Sequence, residues 1–188
     1  MRQRQYWFPE HYASAVQRLR VPLGFALIAA YLLAAGPGRW SMMLGLPIAI
    51  AGLGIRAWAA GHLAKDQALA TGGPYAFVRN PLYLGTLVAA FGFGVASGVW
   101  WLPPLFGAIF LLVYLPVMEL EEKHLLRVLP GSAEYVDQVP LLLPTRAPLA
   151  SPARFSGALY MRNEEYKALG AFGVAALFLI WRAGWLAF

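Results

Sequence analysis

Between Gly73 and Gly85 the chain reads Gly-Pro-Tyr-Ala-Phe-Val-Arg-Asn-Pro-Leu-Tyr-Leu-Gly, a guanidinium, an amide and two phenols where a polar loop enters a long apolar run. Further on, Glu119-Leu120-Glu121-Glu122 closes another apolar run. Pro81 suits the first turn of a helix, whose free N–H groups and positive dipole end would face the loop. Arg79 adds a full charge beside them, a combination suited to a carboxylate or a phosphate. Glu121 and Glu122 could take an ammonium group or the two hydroxyls of a ribose. Tyr75, Tyr83 and Phe77 offer flat faces to a purine or, through cation–π attraction, to a sulfonium. S-adenosyl-L-methionine carries all of these groups. NADPH carries several but asks for more positive charge.

Long apolar elements must position these groups. The chain has 188 residues, 60% of them hydrophobic and 13% charged, with a strongly positive mean hydropathy. A soluble domain of that size cannot hide so much apolar surface. We therefore expect an all-α integral membrane protein forming one domain over residues 1–188. Five segments are long and apolar enough to cross a bilayer, at about 17–36, 40–60, 81–99, 100–119 and 168–187. Trp40, Trp100, Trp101 and Trp185 fall near their ends, where amphipathic rings prefer to lie. The first apolar run follows twenty residues that carry four arginines and an aromatic cluster, and it reads as a spanning helix rather than a cleaved leader.

Only Ser97-Gly98 separates the third segment from the fourth, which predicts a tight antiparallel hairpin. Pro103-Pro104 falls in the first turn of the fourth helix, where a missing N–H is tolerated. Pro47 and Pro116 lie inside helices and predict kinks. With the N-terminus in the cytosol, all of the 15 Lys and Arg except Arg39 and Arg182 lie on the cytosolic side or at its edge. The expected location is the cytoplasmic membrane of a prokaryote, with the N-terminus and the active site cytosolic. Arg79 precedes the hairpin and Glu121/Glu122 follow it, so antiparallel packing should bring them together at a cytosolic mouth. Residues 120–167 should form a cytosolic cap. It would comprise a continuation of the fourth helix over 122–129, a short helix from Glu134 to Gln138, an extended strap over 141–156 and an interfacial helix from Ala158 to Lys167.

The net charge of +6 is scattered between apolar runs, which argues for anionic lipid headgroups and against nucleic acid. With no cysteine, disulfides, thiolate metal sites and cysteine nucleophiles are excluded. His11, His62 and His124 lack metal-ligand spacing, so no metal is expected.

The pattern Gly-Pro-Tyr-x-x-Val-Arg-Asn-Pro-x-Tyr-x-Gly, followed by Glu-Glu-x-x-Leu at 121–125 and by Tyr135 five residues before Pro140, resembles the isoprenylcysteine carboxyl methyltransferase family. Related phospholipid N-methyltransferases have similar elements, and the likeness covers residues 55–144 or so. It implies an integral membrane methyltransferase that takes S-adenosyl-L-methionine from the cytosol and a lipophilic acceptor from the bilayer. The acceptor would be an isoprenylcysteine-type carboxylate or a phospholipid amine. The likeness implies that Gln67, Tyr75, Val78, Arg79, Asn80, Pro81, Tyr83, Glu121 and Glu122 enclose the cofactor, with Arg79 and Glu122 the catalytic pair. Asn80 stands where many members have histidine. An amide can donate a hydrogen bond but cannot titrate, so this position is not a base here.

Plainer readings exist for several of these residues. A juxtamembrane arginine is by itself a topology signal, and glutamates at a cytosolic helix end are ordinarily solvated, which suits Glu119. Residues 162–166 read as a wet surface helix, His62 and His124 as interfacial, and Arg56 as snorkelling to the surface, with a role in the pocket as its alternative. Gly85, Gly92 and Gly94 read as close helix packing. Two other functions share the same elements. One is an NADPH-dependent reductase of the sterol or steroid type, which needs more basic residues than Lys65, Arg79, Lys123 and Arg127 supply. The other is a lipid- or haem-handling membrane protein without catalysis.

Overall fold

A computed structural model describes residues 6–65, 67–151 and 153–184. The helices are α1 (Glu10–Ala34), α2 (Arg39–Ala60), α3 (Pro81–Ala96), α4 (Leu102–Val128), α5 (Ser132–Gln138), α6 (Gly157–Arg162) and α7 (Tyr166–Arg182), with a 3-10 turn at Gly73–Ala76. There is no strand among the described residues. The all-α expectation holds.

Three helices among the described residues are long and apolar enough to cross a membrane, where the sequence predicts five: α1, α2 and α4, of 25, 22 and 27 residues. α3 is apolar but stops at 16 residues, about 24 Å of rise. Pro81 fixes its start, and the Ser97-Gly98 turn, with Gly98 at φ +72°, fixes its end. α7 is described over 17 residues; the remainder of the predicted fifth segment, with Trp185, lies outside the described residues. The five helices nevertheless meet at one end. Tyr31 and Ala35 of the α1 terminus, Met42 near the α2 start, Ala96 at the α3 end, Leu102 at the α4 start and Leu179 near the α7 end form one buried cluster. Arg182 Nε donates to the Ala35 carbonyl there at 3.2 Å.

The predicted hairpin forms, with Gly94 of α3 against Pro103 of α4, but the closest approach of α3 is to α2. A Cβ at Gly45 would lie 2.2 Å from Ala96 N, one at Gly52 2.3 Å from Ala89 N, and one at Gly92 2.3 Å from Ala49 N. Only a missing side chain lets the two backbones come that near, the way small residues pack helices in lipid. Pro103 and Pro104 sit in the first turn of α4 as expected. At the two inner prolines the outcomes differ. α2 continues as α-helix across Pro47, whereas α4 widens into a π-helical turn at Phe110–Tyr114 just ahead of Pro116.

Pro116 cannot donate to the carbonyl four residues back, that of Leu112. The Tyr12 hydroxyl donates to that carbonyl at 2.7 Å and ties α1 to α4. Val16, Val113 and Val117 pack beneath it. Glu119, expected to be solvated, is 7% exposed and accepts from Trp7 N at 2.9 Å and Phe8 N at 3.2 Å. It holds the segment leading into α1 against α4, a partner more than a hundred residues away that local spacing does not reveal.

Candidate functional site

The loop carrying Tyr75, Arg79 and Asn80 has almost no regular structure of its own, so its position depends on backbone partners. The strap after α5 supplies them. Arg79 N donates to the Pro140 carbonyl at 2.9 Å, Asn80 N to that of Leu141 at 3.2 Å, and Leu149 N to that of Ala76 at 3.1 Å. Farther along, Ser156 N donates to the Gly61 carbonyl at 2.8 Å. From α5 the buried Tyr135 hydroxyl donates to the Tyr75 carbonyl at 2.9 Å. Tyr135 and Pro140 thus brace the loop from beneath, a structural reason for the third element of the sequence pattern.

A cavity of about 1150 Å³ lies above this braced loop, walled by α1, the end of α2, the start of α3, the later turns of α4, α5 and the α6–α7 junction. Tyr75, Arg79, Asn80, Pro81, Tyr83, Glu121 and Glu122 all line it. The convergence read from the sequence therefore occurs. Two expected residues do not line it. Val78 is 2% exposed and packed under the loop, and exposed Gln67 accepts from Arg162 Nη1 at 3.1 Å.

The opposite charges expected to come together at this mouth do so, and they bond to each other. Arg79 Nη1 and Glu122 Oε2 form an ion pair with each other, their side chains 13% and 9% exposed. Glu121 Oε1 accepts from the Tyr83 hydroxyl at 2.8 Å, and Arg20 Nη1 reaches that same hydroxyl from α1 at 3.4 Å. Asn80 Nδ2 is committed to the Leu141 carbonyl at 3.2 Å. That amide fastens the strap, which leaves less of it for a ligand carboxylate.

Three contributors lie outside the motifs singled out in the sequence. Arg56, expected to snorkel with a role in the pocket as its alternative, takes the alternative and grips Glu165 with two bonds, Nε to Oε1 at 2.6 Å and Nη2 to Oε2 at 2.9 Å. Its Nη1 reaches the Thr86 hydroxyl, which in turn donates to the Leu82 carbonyl at 2.8 Å. Residues 162–166 are accordingly not a wet helix throughout. Glu165 is buried, and Asn163 Nδ2 donates to the carbonyls of Ala60 at 2.8 Å and Leu63 at 2.9 Å. Arg20, the third, reaches the site from α1, and the positions of α1 that face the cavity are read from the packing alone.

One hydroxyl in the wall has no partner among the described residues. The Tyr75 side chain lines the cavity, and its buried hydroxyl makes no hydrogen bond to them. Burial, reinforced by the neighbouring Tyr135 and by the Glu121 and Glu165 carboxylates, pushes its pKa above the ordinary tyrosine range. It stays a neutral hydroxyl, and a buried orphan of this kind is a polar group awaiting a ligand atom.

Residues 38–130, from just before α2 to just past α4, match the phospholipid methyltransferase family. Through this stretch the chain belongs to that family. The cobalt-zinc-cadmium resistance protein CzcN of Cupriavidus metallidurans is 32% identical over 104 residues, 54% of this chain and 47% of that protein. The nickel-cobalt-cadmium resistance protein NccN of Alcaligenes xylosoxydans xylosoxydans is likewise 32% identical over 104 residues, with the same 54% and 47% shares. The chain thus spans about half the length of the curated relatives it matches. No solved structure matches it.

Proposed function

We propose that the chain is a five-span membrane methyltransferase of the cytoplasmic membrane that draws S-adenosyl-L-methionine from the cytosol and a lipophilic acceptor from the bilayer. An isoprenylcysteine-type carboxylate and a phospholipid amine are the two acceptor types in view. The observation that carries the reading is the convergence of Arg79, Tyr83, Glu121 and Glu122, from separate stretches of chain, on one cavity. The residues present fit the cofactor. Both signs of charge stand side by side, as an amino-acid end requires, and the partnerless Tyr75 hydroxyl offers one more hydrogen bond.

Bound there, S-adenosyl-L-methionine supplies an electrophilic methyl group on a sulfonium. The chain's own work is positioning and exclusion of water, which such a displacement chiefly requires. Arg79 and Glu122 are the groups to hold the carboxylate and the ammonium. Glu121, oriented by the Tyr83 hydroxyl, is placed for the ribose hydroxyls. Asn80 serves by fixing the strap beneath the loop. An NADPH reductase would need several cations for its phosphates, whereas Arg56 and Arg79 are each bonded to a carboxylate, which leaves Arg20 and Lys65 of the cations in the wall. The relatives' names speak of metal resistance. No group of three or more His, Cys, Asp or Glu gathers among the described residues, and the proposal rests on the family and the cavity instead.

Calorimetric titration of detergent-purified protein with S-adenosylmethionine, S-adenosylhomocysteine and NADPH tests the reading. The first two should bind, and Arg79→Ala and Glu122→Gln should each lose that affinity. Tight binding of NADPH with no response to S-adenosylhomocysteine would overturn it.

A further inference from the structure

Arg56 and Arg79 spend their charge on Glu165 and Glu122, but one arginine in the cavity does not. Arg20 makes no ion pair among the described residues, and its hydrogen bond there is the long one, 3.4 Å, to the neutral Tyr83 hydroxyl. It lies ten residues into α1, about 15 Å along the axis from Glu10. That is the fourth residue of the span read at about 17–36, and a charged side chain at such an edge ordinarily turns to the interface or finds a counter-charge. Arg20 instead points inward with most of its five N–H donors unspent.

Its surroundings on α1 form a track. Gln17, Arg20, Val21, Gly24, Phe25 and Ile28 all line the cavity, at the three- and four-residue intervals of a single helix face. The track is polar up to Arg20 and apolar beyond it. Gly24 leaves room in the apolar half, since a Cβ built there meets nothing within 4 Å. Phe25 and Ile28 remain 69% and 56% exposed, so this half of the wall opens sideways toward lipid. Of the groups assigned to the cofactor, Glu121 on α4 is one hydroxyl away from Arg20, since it accepts from the Tyr83 hydroxyl that Arg20 reaches, and Arg79 and Glu122 line the same cavity.

We infer that the methyl acceptor is an anionic amphiphile, its carboxylate or phosphate held by Arg20 and its hydrocarbon tail laid along Val21, Gly24, Phe25 and Ile28. This rests on the methyltransferase reading for the word acceptor, but the binding it requires does not depend on methyl transfer. Arg20 and the track lie before residue 38, outside the stretch that matches the family. A charge-assisted contact of this kind should favour an anionic over a cationic head by about tenfold or more.

The test is displacement of 11-(dansylamino)undecanoic acid from protein in a neutral maltoside detergent. Tetradecanoate and tetradecyl phosphate should displace it at far lower concentration than tetradecyltrimethylammonium, and inorganic phosphate should not displace it at all. Arg20→Gln should erase the preference for the anionic heads, and Arg20→Lys should keep most of it. Gly24→Leu, which fills the track and raises helix propensity, should weaken all three amphiphiles alike. Titration with S-adenosylhomocysteine and thermal unfolding on the same samples show whether each variant is folded. An anion preference that survives Arg20→Gln, or that is absent from the wild-type chain, overturns the inference. Displacement by inorganic phosphate alone overturns it too, in favour of a free-anion site. If the preference stands while S-adenosylhomocysteine fails to bind, the methyltransferase reading is what falls.

Discussion

Tyr75→Phe separates a ligand-facing hydroxyl from a structural one, because the two roles predict opposite signs. The residue is 6% exposed and its hydroxyl has no partner among the described residues. An unsatisfied buried polar group costs about 1–3 kcal/mol. Phenylalanine keeps the ring and removes that cost, so the ligand-free variant should be more stable by about 1 kcal/mol, taking the low end because the cavity admits water. For a chain of this length that corresponds to a rise of roughly 2–4 °C in Tm. A ligand that would have satisfied the hydroxyl loses a hydrogen bond worth about 0.5–1.5 kcal/mol, a two- to thirteen-fold weaker Kd or so. Tyr135→Phe is the control. Its hydroxyl donates to the Tyr75 carbonyl, so the change should lower Tm and ligand affinity together. Thermal unfolding in detergent with and without S-adenosylhomocysteine, together with calorimetric titration, reads both quantities. A Tyr75→Phe variant that melts lower than wild type and binds S-adenosylhomocysteine equally well would refute the reasoning.

Three other outcomes follow from the same geometry. Removing one partner of the buried Arg79–Glu122 pair leaves an uncompensated charge and should cost about 3–5 kcal/mol, while Arg79→Met combined with Glu122→Leu should recover most of that stability without recovering cofactor affinity; unfolding and titration of the three variants check it. Gly52→Val puts a side chain where even a Cβ lies 2.3 Å from the Ala89 backbone nitrogen, so it should abolish recovery of monodisperse protein, whereas Gly54→Ala, where a Cβ meets nothing within 4 Å, should not. Burial raises the pKa of both Tyr75 and Tyr135. Below about pH 10 folded and unfolded chains alike keep these protons; above it the unfolded chain ionises first, binds fewer protons and gains, so Tm should fall with pH there and do so less steeply in Tyr75→Phe.

The site was legible where topology alone places residues and opaque where a side chain must choose its face. Basic residues at segment ends fix orientation, and orientation put Arg79 and Glu121/Glu122 at one mouth before any packing was known. No such rule foretells that Arg79 pairs with Glu122, since both were assigned to a ligand by charge complementarity, which the protein can satisfy internally. Arg56 and Glu165 were out of reach for a related reason. Each sits at a helix end beside water-facing residues, and only the packing of α7 across the α2–α3 pair joins them over 109 positions of sequence. The hairpin expectation was right about the turn and incomplete about packing. A two-residue connection makes α3 and α4 neighbours, yet how near two helices approach depends on what lies between their backbones. Gly45, Ala49 and Gly52 face Gly85, Ala89, Gly92 and Ala96, so α2 wins that contact.

The orientation of α1 shows how one backbone defect can reach the cavity. α1 is a mostly lipid-exposed helix, and rotation about its own axis would turn Arg20 away from Tyr83. What opposes that rotation lies at its N-terminal end. Glu119 accepts from the N–H groups of Trp7 and Phe8, Lys123 Nζ meets Glu10 Oε1 at 2.7 Å, and Tyr12 donates to the Leu112 carbonyl. All three partners belong to α4, and Leu112 is open to Tyr12 because Pro116 has no N–H to occupy its carbonyl. A helix face repeats at three- and four-residue steps, so a side chain fixed at Tyr12 carries Val16 onto the α4 core and brings Arg20 to the rim of the cavity. Glu119 and Lys123 flank Glu121 and Glu122 on the same two turns of α4. The contacts that set the angle of the α1 track therefore also set the angle of the two cofactor carboxylates, and the two walls of the cavity cannot turn independently.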